Sequence, residues 1–353
     1  MASASPRLTL SAGDRRVECL QVAVPPPNGL SRFVANARPP GSGLVNDCDA
    51  IELLSRLAGV SMASSATGVR LRQIAATDLP AVAQLLSEGF PNRSVSYWLR
   101  GLERHAGRPP PAGYPQYGFL LDHGGAAVGV ILQLFARVGT GDAAVVRCNL
   151  SSWYVKPEFR AFGSLLITST TKDPAVTYFN ITPAPHTWST VEAQRFVVYC
   201  RGQMYGAVAL GRPVREAQAE VFAGQSSGLS PFEHTVLRDH AGFGCLSLVV
   251  RRGSEIFPFV FQKHWVKGVV PVFRLLYCRD VTEFETYCGN LGRLLLRRGG
   301  LLVRWDANAP AGGVAGWYTE KRGRKYAKGG WPPRLGDLAY TEAALFDSRG
   351  TLS

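Results

Sequence analysis

Residues 149–168 read NLSSWYVKPEFRAFGSLLIT and have the order of a strand, a turn and a helix. Aromatic and apolar residues up to Val155 indicate a strand, Pro157 ends its hydrogen-bond ladder, and the apolar run LLIT predicts a helix. Such a junction directs unpaired N–H groups and the positive end of the helix dipole to one place. Gly163 leaves room for a ligand because it has no Cβ, and Arg160 adds a positive charge. The stretch therefore predicts an anion site that suits a pyrophosphate.

This junction resembles that of the GNAT superfamily of N-acetyltransferases, which bind acyl-coenzyme A at the pattern V-x-P-x-x-R/Q-x-x-G-x-G/A. Four residues match the pattern in register, namely Val155, Pro157, Arg160 and Gly163. Leu165 stands where the family has Gly or Ala, which leaves less room beside the phosphates. The resemblance implies acetyl-coenzyme A as the co-substrate and no metal. The cofactor-binding residues that it implies are Trp153, Val155, Arg160, Ala161, Phe162, Gly163, Ser164 and Leu165.

The resemblance also implies that an amine attacks the thioester directly, without a covalent enzyme intermediate. The main-chain N–H of Trp153, on a bulged strand, would polarise the thioester carbonyl, while Val155 would hold the pantetheine amide. A tyrosine in the helix after the fifth strand is the usual acid for the departing thiolate. Here Val191 takes the position of that tyrosine, so proton transfer needs another group or water.

His186 and Tyr199 are the substitutes that the sequence offers for the missing acid. His186 follows a proline just ahead of the expected helix, where a capping or surface role is favoured over a catalytic one. Tyr199 lies two turns further along and also fits a core or boundary residue. Both are therefore candidate catalytic residues with a structural alternative.

Residues 69–205 are predicted to supply the elements that hold this site. Apolar periodicity and turn residues predict the order β-α-α-β-β-β-α-β-α, with a last helix over Thr187–Cys200. This is the order of the GNAT core. The resemblance therefore implies an α+β fold, with a mixed, mostly antiparallel twisted sheet flanked by helices. Two central strands run parallel and splay apart around the acyl-pantetheine arm.

Three segments are expected in the 353 residues: an extension over 1–61, a GNAT domain over 62–222 and a second, smaller α+β domain over 223–353. The extension lacks a periodic apolar face, which fits either a disordered tail or a true start at Met62. The second domain fits either a decayed GNAT repeat, as in tandem acetyltransferases, or unrelated α+β structure. Its own junction, CRDVTEFETY, is acidic and lacks glycine, which predicts a non-catalytic partner domain.

The formal charge of +13 predicts a surface that attracts anions, whether coenzyme A, an acidic acceptor, nucleic acid or a membrane surface. Residues 321–328, KRGRKYAK, hold five of the basic residues, and a solvated hairpin or loop is the preferred interpretation. No nucleic-acid-binding motif accompanies them, which disfavours nucleic acid, and no apolar run is long enough to span a bilayer. Seven cysteines without CxxC spacing predict reduced thiols in a cytoplasmic protein rather than disulfides or a zinc site.

The sequence thus predicts an acyl-coenzyme A-dependent acyltransferase that moves an acetyl group to an amine. The acceptor classes that it allows are an amino sugar or other small amine, an amino acid and a protein terminus, and the basic charge is compatible with an anionic acceptor. The alternative is a binding or regulatory protein that keeps the fold and senses acyl-coenzyme A. Leu165 and Val191 favour the alternative, whereas the Arg160 and Gly163 junction favours the enzyme. An oligomeric state is not predicted.

Overall fold

The computed structural model describes residues 68–139, 141, 144–266 and 270–346, so the expected extension over 1–61 lies outside the described residues. The first half of the described chain contains the strands β1 (Val69–Gln73), β2 (Gly118–His123), β3 (Ala126–Val138), β4 (Val145–Val155), β5 (Val176–Asn180), β6 (Val197–Cys200), β7 (Gly202–Gly206) and β8 (Ala217–Val221). The second half contains β9 (Leu246–Arg252), β10 (Glu255–Val266), β11 (Val270–Tyr277), β12 (Leu302–Ala307), β13 (Gly316–Thr319) and β14 (Lys325–Lys328).

The α-helices of the described residues flank these strands. They are α1 (Leu79–Gly89), α2 (Val95–Ala106), α3 (Gly163–Thr170), α4 (Trp188–Ala193), α5 (Pro231–Gly242), α6 (Val281–Arg297) and α7 (Glu342–Leu345). None of them is both long and apolar enough to cross a membrane.

The first sheet has the strand order β1-β2-β3-β4-β5-β14-β6. Neighbouring strands are antiparallel except for the central pair β4 and β5, which run parallel. The helix α3 follows β4 and leads into β5, as a parallel pair requires a crossover connection. The expected mixed, mostly antiparallel α+β fold is confirmed, and this is the GNAT-type arrangement that the sequence resemblance implies.

The second sheet repeats this arrangement in the order β8-β9-β10-β11-β12-β7-β13. Its parallel pair is β11 and β12, joined by α6 in the way that α3 joins β4 to β5. The hairpin from β9 to β10 turns at Gly253, whose φ of 58° is one that glycine adopts without steric cost. The structure therefore supports the interpretation of the second half as a GNAT-like repeat.

With the chain divided between β7 and β8, so that β8 opens the second half, each sheet receives one strand from the other half. β14 lies between β5 and β6 in the first sheet, and β7 lies between β12 and β13 in the second. The sheet boundary therefore differs from the expected division at residue 222, because β7 and β8 precede that point but pair with the second half. The Gly- and Ser-rich residues 223–228 connect β8 to α5 within the second half and do not separate the two sheets.

Two sequence expectations are corrected here. The helix expected over Thr187–Cys200 ends at Ala193, and the chain then forms β6, because Arg195 adopts a left-handed φ of 65° that stops the helix. The segment KRGRKYAK is not a solvated loop throughout, since residues 325–328 form β14 and Lys325 is 0% exposed.

The five cysteines in the described part of the chain are buried and unpaired.

Candidate functional site

The parallel strands β4 and β5 pair over only part of their length. Their register runs from Val146 opposite Val176 to Asn149 opposite Phe179, while β4 itself continues to Val155. At the last pair, the side-chain amide Nδ2 of Asn149 donates a hydrogen bond to the carbonyl of Phe179 (3.3 Å). β5 ends at Asn180, one residue after this pair, so β4 from Leu150 to Val155 lies apart from β5 without a neighbouring strand on that side, and this corresponds to the splay that the GNAT resemblance implies.

A β-bulge lies in the separated part of β4. The register with β3 passes from Val130 opposite Tyr154 to Leu132 opposite Ser151, so two residues of β4, Ser152 and Trp153, oppose one residue of β3. Ser152 has a left-handed φ of 51°, an uncommon conformation for a residue other than glycine. Because a bulge interrupts the ladder locally, it re-aims the main-chain groups of these two residues. The bulged strand therefore occurs where the sequence resemblance expects it.

A small cavity lies between the separated strands. Its lining residues come from β3, β4, α3, the end of β5 and the 3-10 turn before α4 and are Ile131, Leu150, Ser151, Ser152, Trp153, Ile167, Asn180 and Thr187. Two polar atoms of this lining, Trp153 Nε1 and Asn180 Oδ1, are buried without a hydrogen-bond partner among the described residues. Buried polar atoms of this kind are costly unless a partner is supplied, and an amide of a bound ligand is such a partner. The cavity has a volume of only about 10 Å³, so an acyl-pantetheine arm fits if β4 and β5 open further.

The junction after β4 is more regular than the sequence predicts. Residues 157–162 form a 3-10 helix that continues directly into α3, and the N–H of Gly163 donates to the carbonyl of Arg160. This N–H is therefore already engaged within the turn. Gly163 has a φ of −58°, and a Cβ placed on it would approach Trp153 Cζ2 to 3.6 Å, which is ordinary contact. The protein itself does not require glycine there, so the requirement, if any, comes from a ligand.

The residues predicted to hold the cofactor divide into a buried and an exposed group. Trp153 and Val155 are buried on β4, and Gly163 is buried at the start of α3. Phe162 is half-buried, whereas the others are exposed along the turn and the outer face of α3: Arg160, Ala161, Ser164 and Leu165. The exposed group is accessible to a ligand from solvent, and Leu165 is 50% exposed. Their part in cofactor binding stays a prediction.

The helix α4 carries the position at which the family has its acid. Val191 is buried there, in the same core cluster as Trp153. Residues 190–196 correspond to the pattern L-Y-E-x-x-G-F of the resemblance, in which Arg195 stands at the glycine. Arg195 has a positive φ, which glycine adopts most easily, so its backbone conformation is compatible with that correspondence.

His186 and Tyr199 do not meet in the structure. His186 is exposed in a short 3-10 turn, Pro185–Thr187, and lines a basic cleft next to the splay. Tyr199 lies on β6, with its ring 5.8 Å from that of Phe179 and its hydroxyl buried without a hydrogen-bond partner among the described residues. Burial, and then the nearby Asp306, raise the pKa of Tyr199 well above its usual value. Neither residue lines the cavity between β4 and β5.

A phenol that the sequence reasoning missed reaches α4 from the second half of the chain. Tyr326 on β14 pairs with Asn180 of β5, and its hydroxyl donates a 2.7 Å hydrogen bond to Glu192 Oε1. Burial and this hydrogen bond raise the pKa of Tyr326 to about 12. The alternation of polar and apolar residues in KYAK is compatible with a strand, but the surrounding basic residues favour a loop.

The described residues form no candidate metal site. They contain no group of three or more His, Cys, Asp or Glu side chains placed to hold a metal ion. The groups that the splay presents are main-chain amides, a tryptophan N–H and an asparagine oxygen. Such groups bind and polarise carbonyls and amides.

Comparisons with known proteins concern the fold. No protein-family model matches the sequence, and no curated protein matches it. Among solved structures, a GCN5-related N-acetyltransferase from Anabaena variabilis is 9% identical with a TM-score of 0.47, over 74% of this chain and 72% of that chain. One from Kribbella flavida is 14% identical with a TM-score of 0.45, over 73% and 70%. N-myristoyltransferase from Saccharomyces cerevisiae with bound myristoyl-CoA is 12% identical with a TM-score of 0.41, over 77% and 87%.

At these identities and TM-scores, the alignments carry no conclusion about function. The fold is defined by the strand order, by the parallel central pair and by the bulge and splay of β4 in the first sheet. The chain is therefore a protein of GNAT-type fold in which the α+β unit occurs twice. β14 completes the first sheet and β7 completes the second, so the two units exchange one strand each.

Proposed function

We propose that the protein is an acyl-coenzyme A-dependent acyltransferase that acetylates an amine. The observation that carries the proposal is the bulge at Ser152 and Trp153 on the part of β4 that has separated from β5. This arrangement leaves main-chain groups of β4 without a neighbouring strand on one side. Extended amide-bearing ligands such as pantetheine can pair with an unpaired strand edge of this kind.

In the proposed reaction, the lone pair of the acceptor nitrogen attacks the carbonyl carbon of the thioester. A C–N bond forms, the C–S bond breaks, and the sulfur leaves with the bonding electron pair. The nitrogen loses one proton and the thiolate gains one, so the step balances without an oxidant or reductant. The main-chain N–H of Trp153 donates to the carbonyl oxygen as negative charge develops on it, and Val155 orients the pantetheine amide. Water carries the proton, because Val191 has no acidic group.

Arg160 supplies the positive charge for the pyrophosphate of coenzyme A. Its side chain is exposed on the turn between β4 and α3, at the carboxyl end of β4. Because the Gly163 N–H donates within the turn, the arginine and the helix dipole contribute more to phosphate binding than that amide does. The predicted contribution of the turn is therefore mainly electrostatic.

Two observations favour a second function, the sensing of acyl-coenzyme A without transfer. The cavity at the splay has room for about one water molecule, and Val191 replaces the acid of the family. A protein of this kind would bind acyl-coenzyme A when β4 and β5 open, but it would not release the thiol. The two functions therefore share a ligand and differ in turnover.

Calorimetry with acetyl-coenzyme A, combined with an assay for free thiol in the presence of a panel of amines, separates these functions. An enzyme binds the ligand and releases thiol, and a sensor only binds it. Arg160→Ala should weaken binding by about tenfold, as expected for the loss of one charge-assisted contact. Arg238→Ala is the matched control, because Arg238 is 70% exposed on α5 and lines neither the splay nor the junction. Absence of binding in the parent protein would contradict both functions.

A further inference from the structure

A second cleft opens beside the splay and is strongly basic. It has a volume of about 520 Å³ and lies between the segment after β5, the strands β7, β11 and β12, and the turn before β14. The positively charged side chains of its lining are Arg274, Arg304, Lys321, Arg322 and Arg324. None of its lining residues is an aspartate or a glutamate. Five cations around one space create a positive potential that a bound anion would relieve.

The arginines of this cleft are positioned by the sheet and by an aromatic ring. Arg274 and Arg304 are neighbours in the register of the parallel strands β11 and β12, and Arg274 is only 5% exposed. The guanidinium of Arg324 lies over the ring of Trp188, 3.9 Å from its centroid. Such placement costs conformational freedom before any ligand arrives, which is a property of a preorganised site.

Two guanidinium donors of the cleft lack partners. The Nε atoms of Arg304 and Arg324 are buried and have no hydrogen-bond partner among the described residues. The nearest acidic side chain on β12, Asp306, is paired with Lys325 at 2.7 Å. Burial, followed by the charges of Arg304 and Arg274, lowers the pKa of His264 to about 3, as expected for a histidine close to this group of cations. An oxyanion could accept hydrogen bonds from these donors in a bidentate manner.

The cleft begins where the proposed transfer site ends. Asn180 and Thr187 line the cavity between β4 and β5, whereas the residues between them, Ile181 to His186, line the basic cleft. Both spaces therefore open at the carboxyl end of β5. The proposed pyrophosphate site follows the carboxyl end of the neighbouring strand β4. A ligand in the basic cleft can consequently reach the splay from the side of β5, as an acceptor would.

We propose that the basic cleft binds the oxyanion of the acceptor, which is a small amine carrying a phosphate or carboxylate group. The guanidinium groups of Arg304 and Arg324 hold the oxyanion, and the amine extends toward the splay. This inference rests on the proposed acyltransferase function for the role of the amine. The anion site itself does not depend on that function.

Binding of inorganic phosphate in the presence of saturating coenzyme A tests the site directly. The double variant Arg304→Gln/Arg324→Gln should raise the phosphate Kd at least about tenfold and leave the coenzyme A Kd unchanged, since two charge-assisted contacts are lost. Lys321→Gln, at an exposed position of the same cleft, should raise the phosphate Kd severalfold even if the double variant does not fold. Arg238→Gln on α5 should leave both constants unchanged.

Three outcomes of this titration would overturn the proposal. They are an absence of phosphate binding in the parent, phosphate binding that survives the cleft variants, and a loss of coenzyme A affinity in place of phosphate affinity. The third outcome would identify the cleft as a site for the phosphates of coenzyme A. If acetyl-coenzyme A does not bind but phosphate binding depends on Arg304 and Arg324, the proposed function fails while the anion site stands.

Matched acceptors test the chemical class. Thiol release from acetyl-coenzyme A is measured with ethanolamine and O-phosphoethanolamine, with glucosamine and its 6-phosphate, and with propylamine and β-alanine. The parent should prefer the anionic member of at least one pair by about tenfold or more in kcat/KM. The pair that shows this preference identifies whether the cleft recognises a phosphate or a carboxylate. This ratio should fall toward one in Arg304→Gln/Arg324→Gln. Equal rates within every pair in the parent would contradict an anionic acceptor.

Discussion

Lys325 Nζ lies 2.7 Å from Asp306 Oδ1, and this buried ion pair joins the two sheets. Lys325 is the first residue of β14 in the first sheet, and Asp306 belongs to β12 in the second. The lysine is 0% exposed and also donates to the carbonyl of Gly323 (2.9 Å). The pair thus fixes the exchanged strand at the point where it leaves the second half of the chain.

We expect Lys325→Met to be strongly destabilising, because it leaves the Asp306 carboxylate buried without its cation. Loss of one partner of a buried pair costs roughly 3–5 kcal/mol, and the free energy of unfolding in urea measures it. Lys325→Met combined with Asp306→Leu should recover much of that loss, since neither charge then remains buried. Lys321→Met, in the exposed turn before β14, should change stability by less than about 0.5 kcal/mol. Equal losses of unfolding free energy in Lys325→Met and in the double variant would show that Lys325 and Asp306 are not energetically coupled.

The exchange of β7 and β14 predicts that the two halves do not fold separately. A fragment of residues 68–222 lacks β14, so β5 and β6 lose the strand between them, and a fragment of residues 223–346 lacks both β7 and β8. Each fragment alone should therefore show weak near-ultraviolet circular dichroism and rapid amide exchange in its sheet. Co-expression of the two fragments should restore protection of β5 and β6. An independently folded, protected 68–222 fragment would contradict the reciprocal exchange.

Gly163→Ala separates stability from ligand binding at the turn. Because Gly163 has a φ of −58° and its added Cβ would meet only Trp153 at 3.6 Å, alanine fits the folded backbone. Stability should rise by about 0.4–1 kcal/mol, since alanine restricts the unfolded chain. If the pyrophosphate approaches this backbone, the same methyl group should lower coenzyme A affinity, whereas Gly242→Ala, at the end of α5 with open space around its added Cβ, should not. A variant that is more stable and binds coenzyme A as the parent does would remove Gly163 from the cofactor site.

Buried histidines predict a loss of stability in weak acid. His105 on α2 is 1% exposed, neither ring nitrogen has a hydrogen-bond partner among the described residues, and burial lowers its pKa to about 4. Burial likewise lowers the pKa of His240 on α5 to about 4. Since the unfolded histidines have a pKa of about 6.5, they bind protons at a pH where the native ones do not. Their stabilising contribution is complete above that pKa and is lost as the pH falls toward 4.

The free energy of unfolding should therefore fall by about 2 kcal/mol for each buried histidine between about pH 7 and pH 5. His105→Phe should reduce the pH dependence by the contribution of one buried histidine, about 2 kcal/mol, because phenylalanine does not titrate. The comparison uses only the difference in unfolding free energy between about pH 7 and pH 5. A packing effect of the substitution that is equal at both pH values therefore cancels. His123→Gln, at an exposed position, should keep the pH dependence of the parent. An unchanged pH dependence in His105→Phe would show that the pKa of His105 is not lowered in the native state.

The first sheet and its junction could be predicted from the sequence because their signals are local. The strand up to Val155, the interruption at Pro157 and the helix after Gly163 depend on neighbouring residues, and the structure places each where it was expected. The hairpin at Gly253 is another local signal, since a short turn needs a residue that tolerates positive φ. At the position where the resemblance has a glycine, Arg195 likewise has a positive φ.

Only the tertiary structure decided which strands pair and which charges are buried. The basic composition of residues 321–328 favours a solvated loop, yet Lys325 is buried because Asp306 neutralises it from another strand. Arg274 and Arg304 are single charges within apolar strands, and their meeting depends on the parallel register of β11 and β12. Residues that pair over a long distance in the chain produce no periodic pattern in the sequence. The exchanged strands and the basic cleft therefore follow from long-range pairing, whose energy no local pattern contains.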